Sequence, residues 1–155
     1  MPSRVHAIVV ARTGDSAAAQ LSETLDALRT QTTPPDAVTV VVLGSGAQVR
    51  AIDGIGHSVE AIIEARATTT FAEAVALAQP RVATGSSVWM LTHDSRPRRK
   101  ALQLLAGSLE RSPSAALAAP KLVRHDDDRE IVSLGVSMSR FGRAVELASD
   151  ELDQG

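Results

Sequence analysis

The chain has 155 residues, 44% of them hydrophobic and 22% charged, which is typical of a globular domain with a sizeable core. A formal net charge of −2 and only three aromatic residues argue against a nucleic-acid partner or an anionic membrane surface. Without cysteine there is no disulfide framework, thiolate metal site or cysteine nucleophile, and no apolar run reaches the roughly 20 residues of a membrane span.

Apolar runs alternate with helical periodicities along the first 120 residues. The predicted elements are a strand at Val5–Val10, a helix at 16–30, a strand at Ala37–Leu43, a short helix at 47–52, a strand at Ser58–Ile63, a helix from Thr70 to Ala83, a strand at Val88–Leu91, a helix at Pro97–Arg111 and a strand at Ala116–Ala119. Beyond Ile131, turn points at Gly135 and Gly142 predict a β-hairpin. This order predicts an α/β fold whose mostly parallel sheet carries helices on both faces.

Three predicted strands end in loops suited to ligand binding, at 11–13, 44–46 and 92–95. Asp94 directly follows a buried strand, so its carboxylate can bind Mg²⁺ or Mn²⁺, with His93 as a second ligand or a phosphate donor. The alternative is that Asp94 or Ser95 caps the next helix, a common task for both residue types. Both roles stay open at this stage.

Other polar features carry weaker signals. Arg12 and Arg66 can each pair with a diphosphate, and a solvated surface arginine is the alternative for both. The glycine pair at 44–46 lacks the third glycine of a dinucleotide-binding loop and predicts a turn. The run at 125–128 predicts a solvated loop, because adjacent carboxylates in a tight turn point apart, and the basic run at 96–100 predicts a solvated face.

Four stretches together resemble the nucleotide-sugar-binding half of family 2 glycosyltransferases, which have the GT-A fold. They are VHAIVVARTGD, LRTQTTPPDAVTVVVLGSG, TTTFAEAVALA with VWMLTHDSRPRRKALQLL, and AALAAPKLVRHDD with LGVSMSRFGR. The resemblance covers about residues 4–150. Within the family, the chain is most similar to the actinobacterial branch. It implies donor-binding βα units at 4–120, then a hairpin and the start of a connection at 121–155, together one partial GT-A domain.

The resemblance also implies roles for individual residues. Ala11, Arg12 and Thr13 would lie against the base and ribose of a nucleotide-diphospho-sugar donor, and Val42 stands where the family places a base-binding aspartate. Asp94 would hold a divalent cation, Mn²⁺ or Mg²⁺, on the donor diphosphate.

Several positions depart from the family pattern. Thr92 and His93 replace two members of the acidic triplet, and Ala76 stands where an asparagine is usual. Inverting transfer also needs a general base, which the family carries in an acceptor-binding half that these residues do not include.

Two functions follow from this comparison. In the first, the chain is the donor-binding portion of an enzyme that transfers a sugar, with inversion at the anomeric carbon, to a glycan or lipid-linked cell-envelope acceptor. In the second, the chain is a non-catalytic glycosyltransferase-like scaffold or interaction domain. The glycosyltransferase function implies a cytoplasmic location. If this domain is part of a longer chain with a C-terminal membrane part, it implies a location at the cytoplasmic face of the membrane. An exposed sheet edge is expected to favour homo-oligomers.

Overall fold

The computed structural model describes residues 4–52, 54–124, 127, 129–133, 136–138, 144–146 and 151–152. The chain divides into two compact units, Met1–Leu102 and Gln103–Gly155, whose boundary falls 18 residues before the predicted end of the donor-binding part. Helix α5 (Ala101–Arg111) begins in the first unit and continues in the second. Within the described part of the chain, no helix is long and apolar enough to cross a membrane.

A four-stranded, all-parallel sheet forms the centre of the first unit. Its strands are β1 (Val5–Arg12), β2 (Ala37–Leu43), β3 (Ala61–Ala65) and β4 (Ser87–Thr92), in the order β3-β2-β1-β4. The two central strands are the continuous apolar runs of the sequence, because strands covered on both faces need apolar side chains on both. The predicted α/β class with a parallel sheet is therefore confirmed.

Helices cover both faces of this sheet, as predicted. Helices α1 (Ala17–Arg29), α2 (Ala47–Arg50) and α3 (Ile55–Ser58) pack on one face, where Leu21, Leu25 and Leu28 meet the strands. Helix α4 (Phe71–Ala78) packs on the other face through Ala74 and Ala78, and a 3₁₀ turn at Gln79–Arg81 follows it. The predicted capping box is present, because Thr70 and Glu73 exchange hydrogen bonds.

The second unit contains short antiparallel strands after α5. These are β5 (Leu122–Val123), β6 (Glu130–Ser133), β7 (Val136–Met138), β8 (Ala144–Glu146) and β9 (Glu151–Leu152). One sheet has the order β5-β6-β9, and β7 pairs with β8 in the antiparallel sense expected of the predicted hairpin. The predicted turn points Gly135 and Gly142 lie outside the described residues.

Three element predictions need correction. The strand predicted at Ala116–Ala119 does not form, because alanine is a poor strand former and the segment makes no pairing in the described structure. The strand predicted from Ser58 begins instead at Ala61, since Ser58 closes α3. The helix predicted from Pro97 begins at Ala101, since side chains from elsewhere bind the carbonyl groups at 97–99.

Candidate functional site

A cavity of about 340 Å³ lies at the carboxyl ends of the central strands. The strand order places β1 between β2 and β4, so the chain changes direction across the sheet between β1 and β4. Open α/β sheets bind ligands at such a switch point, because the strand-end loops diverge there. The cavity is lined by Val10, Arg12, Leu43, Phe71, Thr92, His93 and Asp94.

Strand register explains why these residues meet. Val10 pairs with Thr92 across β1 and β4, and Arg12 pairs with Leu43 across β1 and β2. Polar side chains that follow the three strands therefore arrive at one level of the sheet. A second, larger and more open depression of about 460 Å³ lies between α1 and α2, and Asp15 is the one charged residue in its described lining.

Asp94 is held by Thr92, two residues before it in the chain. The Thr92 hydroxyl donates to Asp94 Oδ1 at 2.5 Å, and Ser95 Oγ accepts from the Thr92 amide at 3.2 Å. The Thr92 hydrogen bond holds the pKa of the Asp94 carboxyl below its usual range, against partial burial and with help from the Asp94 amide and His93. Asp94 is thus an oriented carboxylate inside the cavity.

The alternative that Asp94 or Ser95 caps the following helix finds no support, because α5 begins only at Ala101. Ser95 instead closes a turn back onto Thr92, with its amide donating to the Thr92 carbonyl at 3.1 Å. The loop is therefore shaped by contacts among its own residues and by helix α1.

We expect Thr92→Val to raise the pKa of Asp94 towards its ordinary value, since the main stabiliser of the carboxylate is lost. A carboxyl with a lowered folded pKa stabilises the fold above its unfolded pKa, and this stabilisation is lost as the pH falls through the folded pKa. The variant should therefore lose less stability on acidification than the parent chain does. Carboxyl ¹³C NMR titration measures the shift.

Thr13→Val is the matched control for that titration, because the Thr13 hydroxyl donates to the Leu43 carbonyl and not to Asp94. The pKa of Asp94 in Thr13→Val should be the same as in the parent chain. An unchanged Asp94 midpoint in Thr92→Val would contradict the assigned cause.

A buried threonine on α1 fixes the loop from behind. Thr24 is fully buried, and its Oγ1 lies 2.6 Å from the His93 carbonyl oxygen and 2.7 Å from that of Ser95. The hydroxyl proton is shared between these carbonyls and that of Gln20, at 3.0 Å. Helix α1 therefore sets the position from which His93 and Asp94 enter the cavity.

We expect Thr24→Val to lower the free energy of unfolding by about 1–2 kcal/mol, because two loop carbonyls lose their donor without a change of volume. Amide exchange in the 92–95 loop should also become faster. Thr30→Val is the control, since Thr30 is exposed and bonds only within α1, to Asp26 and Ala27. Equal losses in the two variants would refute a special role for Thr24.

Arg12 and Phe71 complete the cavity with an unpaired cation and an apolar ring. Arg12 is exposed at the end of β1, and its side chain makes no hydrogen bond or ion pair with any described residue. Phe71 is 40% exposed at the first turn of α4. Sequence reasoning did not select Phe71, although its place after the capping residue Thr70 marks it as the start of a helix that faces the strand ends.

The structure brings together three of the predicted site residues, Arg12, His93 and Asp94. Ala11 and Val42 are 1% and 0% exposed within the core beneath α1, so their side chains are closed to a ligand. Thr13 is exposed beside them, and its hydroxyl faces the end of β2. Val42 is therefore removed from the candidate site, and Ala11 has only its backbone to offer.

Arg66 lies at the end of β3 and is not among the cavity residues. Its charge acts on Glu73, whose pKa is lowered chiefly by hydrogen bonds from Thr70 and to a smaller extent by Arg66. In the predicted loop at 125–128, only Asp127 lies within the described residues, where it accepts from the Arg129 amide at 3.0 Å. In the basic run, Arg96 pairs with Glu23 on α1.

The donor set fits a protein-held divalent cation poorly. Among the described residues, no group of three His, Asp or Glu side chains comes together. The cavity offers one carboxylate, and Thr92 already occupies one of its oxygens. Mg²⁺ is commonly held by one or two carboxylates, with water and substrate phosphates as its other ligands, and Asp94 is the one carboxylate in the described lining of this cavity.

The fold and the cavity define an α/β protein with a candidate ligand site at the switch point of a parallel sheet. Comparison with protein-family profiles and with curated proteins finds no match to this chain.

Proposed function

We propose that this chain is the donor-binding portion of a family 2 glycosyltransferase of the GT-A type, and that it holds a nucleotide-diphospho-sugar. The observation that carries the proposal is the cavity beyond β1, β2 and β4, where an exposed arginine, an oriented carboxylate and an exposed aromatic ring meet. A nucleotide sugar presents the complementary groups, namely an anion, hydroxyl groups and a planar base.

Each cavity side chain suits one part of such a ligand. The Arg12 guanidinium matches phosphate oxygens in a bidentate fashion and stays charged at every physiological pH. The Phe71 ring offers an apolar face for a base, and base–aromatic stacking contributes about 1–3 kcal/mol. Asp94, kept ionised by Thr92, accepts hydrogen bonds from ligand hydroxyl groups.

Transfer of the sugar needs groups beyond those in this cavity. An acceptor must be deprotonated by a general base, and the proposal assigns that base and the glycan or lipid-linked acceptor to an acceptor-binding half of a longer protein. A divalent cation would stabilise the leaving diphosphate. Among the described residues, no group of three ligating side chains comes together to hold it.

Backbone amide NMR with ¹⁵N-labelled protein tests the proposal directly. UDP, GDP and dTDP, and then UDP-glucose and GDP-mannose, are titrated with Mg²⁺ present throughout. Shift changes should be confined to the amides of Arg12, Phe71 and 92–95. The absence of shifts with all five ligands, or shifts confined to the depression between α1 and α2, would refute the proposal.

Two exposed apolar residues of α4 provide a matched pair of variants for this titration. Phe71 lines the cavity, whereas Leu77, which is 49% exposed, does not. Phe71→Ala should weaken nucleotide binding about fivefold or more, since a stacked base loses its partner. Leu77→Ala should leave the affinity unchanged, and an equal loss in both variants would place the base elsewhere.

One observation favours the alternative of a non-catalytic interaction domain. Strand β4 lies at one edge of the described sheet and exposes Val88 and Met90, at 40% and 54%. Apolar side chains on an open sheet edge favour association with another chain. Light scattering at rising concentration separates the alternatives, because a monomer that binds nucleotide supports the first, and self-association without nucleotide binding supports the second.

A further inference from the structure

We infer that the diphosphate of the bound nucleotide is neutralised by Arg12 and not by a divalent cation, so that nucleotide binding does not require metal. This inference rests on the proposed function and concerns how the same cavity holds its ligand. It differs from what the resemblance implies, which is a cation held by Asp94.

The described cavity residues include few oxygen donors for a metal ion. Asp94 supplies the one carboxylate, and its Oδ1 accepts from the Thr92 hydroxyl at 2.5 Å. This hydrogen bond competes with a metal ion for Oδ1, and a Mg²⁺ or Mn²⁺ held by Asp94 would take its remaining oxygen ligands from water and the diphosphate. Thr92 stands where a second carboxylate would be needed, and it orients Asp94 instead.

Arg12 is the one arginine among the described lining residues of the cavity. Three exposed arginines elsewhere in the first unit are paired with carboxylates, namely Arg29 with Asp26, Arg50 with Glu64 and Arg96 with Glu23. Arg12 lines the cavity and makes no ion pair with any residue that the structure describes, although Asp94 lines the same cavity. A guanidinium that is left unpaired beside a strand-end cavity is available to phosphate oxygens.

The two modes of binding give Asp94 effects of opposite sign. If a metal ion bridges protein and diphosphate, Asp94 is an attractive ligand, and removal of its charge weakens binding. If Arg12 alone neutralises the diphosphate, Asp94 is a like charge in the same cavity, and removal of its charge strengthens binding. The sign of the change in Asp94→Asn therefore separates the modes.

The experiment is calorimetric titration of UDP, GDP and dTDP into the 155-residue chain, once in EDTA and once in MnCl₂. The variants are Arg12→Gln, Arg12→Lys and Asp94→Asn, with Arg29→Gln as the control because Arg29 is an exposed arginine on α1. Trp89 fluorescence confirms that each variant is folded. Nucleoside diphosphates are used because they lack the sugar, whose hydroxyl groups would bind Asp94 for a separate reason.

We expect affinities that agree within about threefold in EDTA and MnCl₂, since no metal takes part. Arg12→Gln should weaken binding about tenfold or more, and Arg12→Lys by less, because the ammonium group keeps the charge and loses the bidentate contact. Asp94→Asn should strengthen binding about twofold to fivefold. Arg29→Gln should bind as the parent chain does.

Other results overturn the inference in ways that can be told apart. Binding that needs Mn²⁺ and is lost in Asp94→Asn would overturn it while the proposed function stands. Metal-independent binding that survives Arg12→Gln would also overturn it, because the cation would then be another residue. Failure of all three diphosphates under both conditions would refute the inference and the proposed function together.

Discussion

Replacement of Gln31 by leucine is expected to lower the free energy of unfolding by about 3 kcal/mol. Gln31 follows α1 and is 6% exposed. Its Nε2 donates to the carbonyls of Ala27 and Arg98 at 3.0 Å, and its Oε1 accepts from the Leu102 amide at 3.1 Å. Leucine fills a similar volume and leaves these buried backbone groups without partners. Each such group that water cannot reach lowers the free energy of unfolding by about 1–3 kcal/mol.

Urea denaturation followed through Trp89, the one tryptophan of the chain, measures this loss. Trp89 packs against the core beneath α1, so its emission reports on the first unit. The slope of the unfolding free energy against urea should stay the same, because the surface exposed on unfolding is unchanged. Gln48→Leu on the exposed side of α2, within the same unit, is the matched control and should change stability by no more than about 0.5 kcal/mol.

A loss of less than 1 kcal/mol in Gln31→Leu would contradict the role assigned to these hydrogen bonds. It would mean that water or a shifted loop satisfies the carbonyl groups at 97–99. The start of α5 would then need another explanation, since the contacts of Gln31 and Thr32 are what hold those carbonyls outside the helix.

These contacts limit what the sequence resemblance can say about function. The stretch L-x-x-Q-x-x-P-P-D was the most specific part of the resemblance, and two of its polar residues have structural tasks. Gln31 fixes the entry to α5, and Asp36 pairs with β1, its carboxylate accepting from the Val5 amide at 2.7 Å. The polar residues of this stretch are therefore explained by the fold of this chain, and the argument for a ligand depends on the cavity residues.

The central sheet was predictable because burial on both faces leaves a strong signal. Strands β1 and β2 are continuous apolar runs, and their observed bounds lie within two residues of the predicted ones. Strand β3 was misplaced because α3 is a single turn, set up by the left-handed backbone of Gly54, and too short to produce a periodic pattern. The segment Ala116–Ala119, three alanines and Leu117, was apolar enough to suggest a strand and too weak in strand propensity to form one.

The candidate site was predictable only in part. Arg12, His93 and Asp94 were found because they follow apolar strands, and parallel strands bring such residues to one edge. Val42 was misjudged because a position taken from family pattern says nothing about side-chain burial, and here the side chain lies in the core. The contact of Thr24 with the loop spans 69 residues, and no local pattern encodes a pairing at that distance.

Replacement of Gly44 by alanine is expected to destabilise the chain by about 2–3 kcal/mol and to displace Thr13 at the edge of the cavity. Gly44 ends β2 with φ of +130°, a backbone conformation that side chains rarely adopt. An added Cβ would also lie 2.9 Å from Thr13 Oγ1 and 3.0 Å from its Cγ2. The amide of Gly44 donates to the Ala65 carbonyl at 2.9 Å, so the backbone cannot turn away without loss of that bond.

Two further glycines separate backbone strain from steric conflict. Gly85 has φ of +83° with no atom near an added Cβ, so Gly85→Ala should cost about 1 kcal/mol for strain alone. Gly14 has an open surrounding and no positive φ, and Gly14→Ala should be neutral within about 0.5 kcal/mol. Urea denaturation gives the three free energies, and amide shifts at Thr13 report its displacement. A loss at Gly44 no larger than at Gly85 would show that Thr13 yields freely and that this edge of the cavity is adaptable.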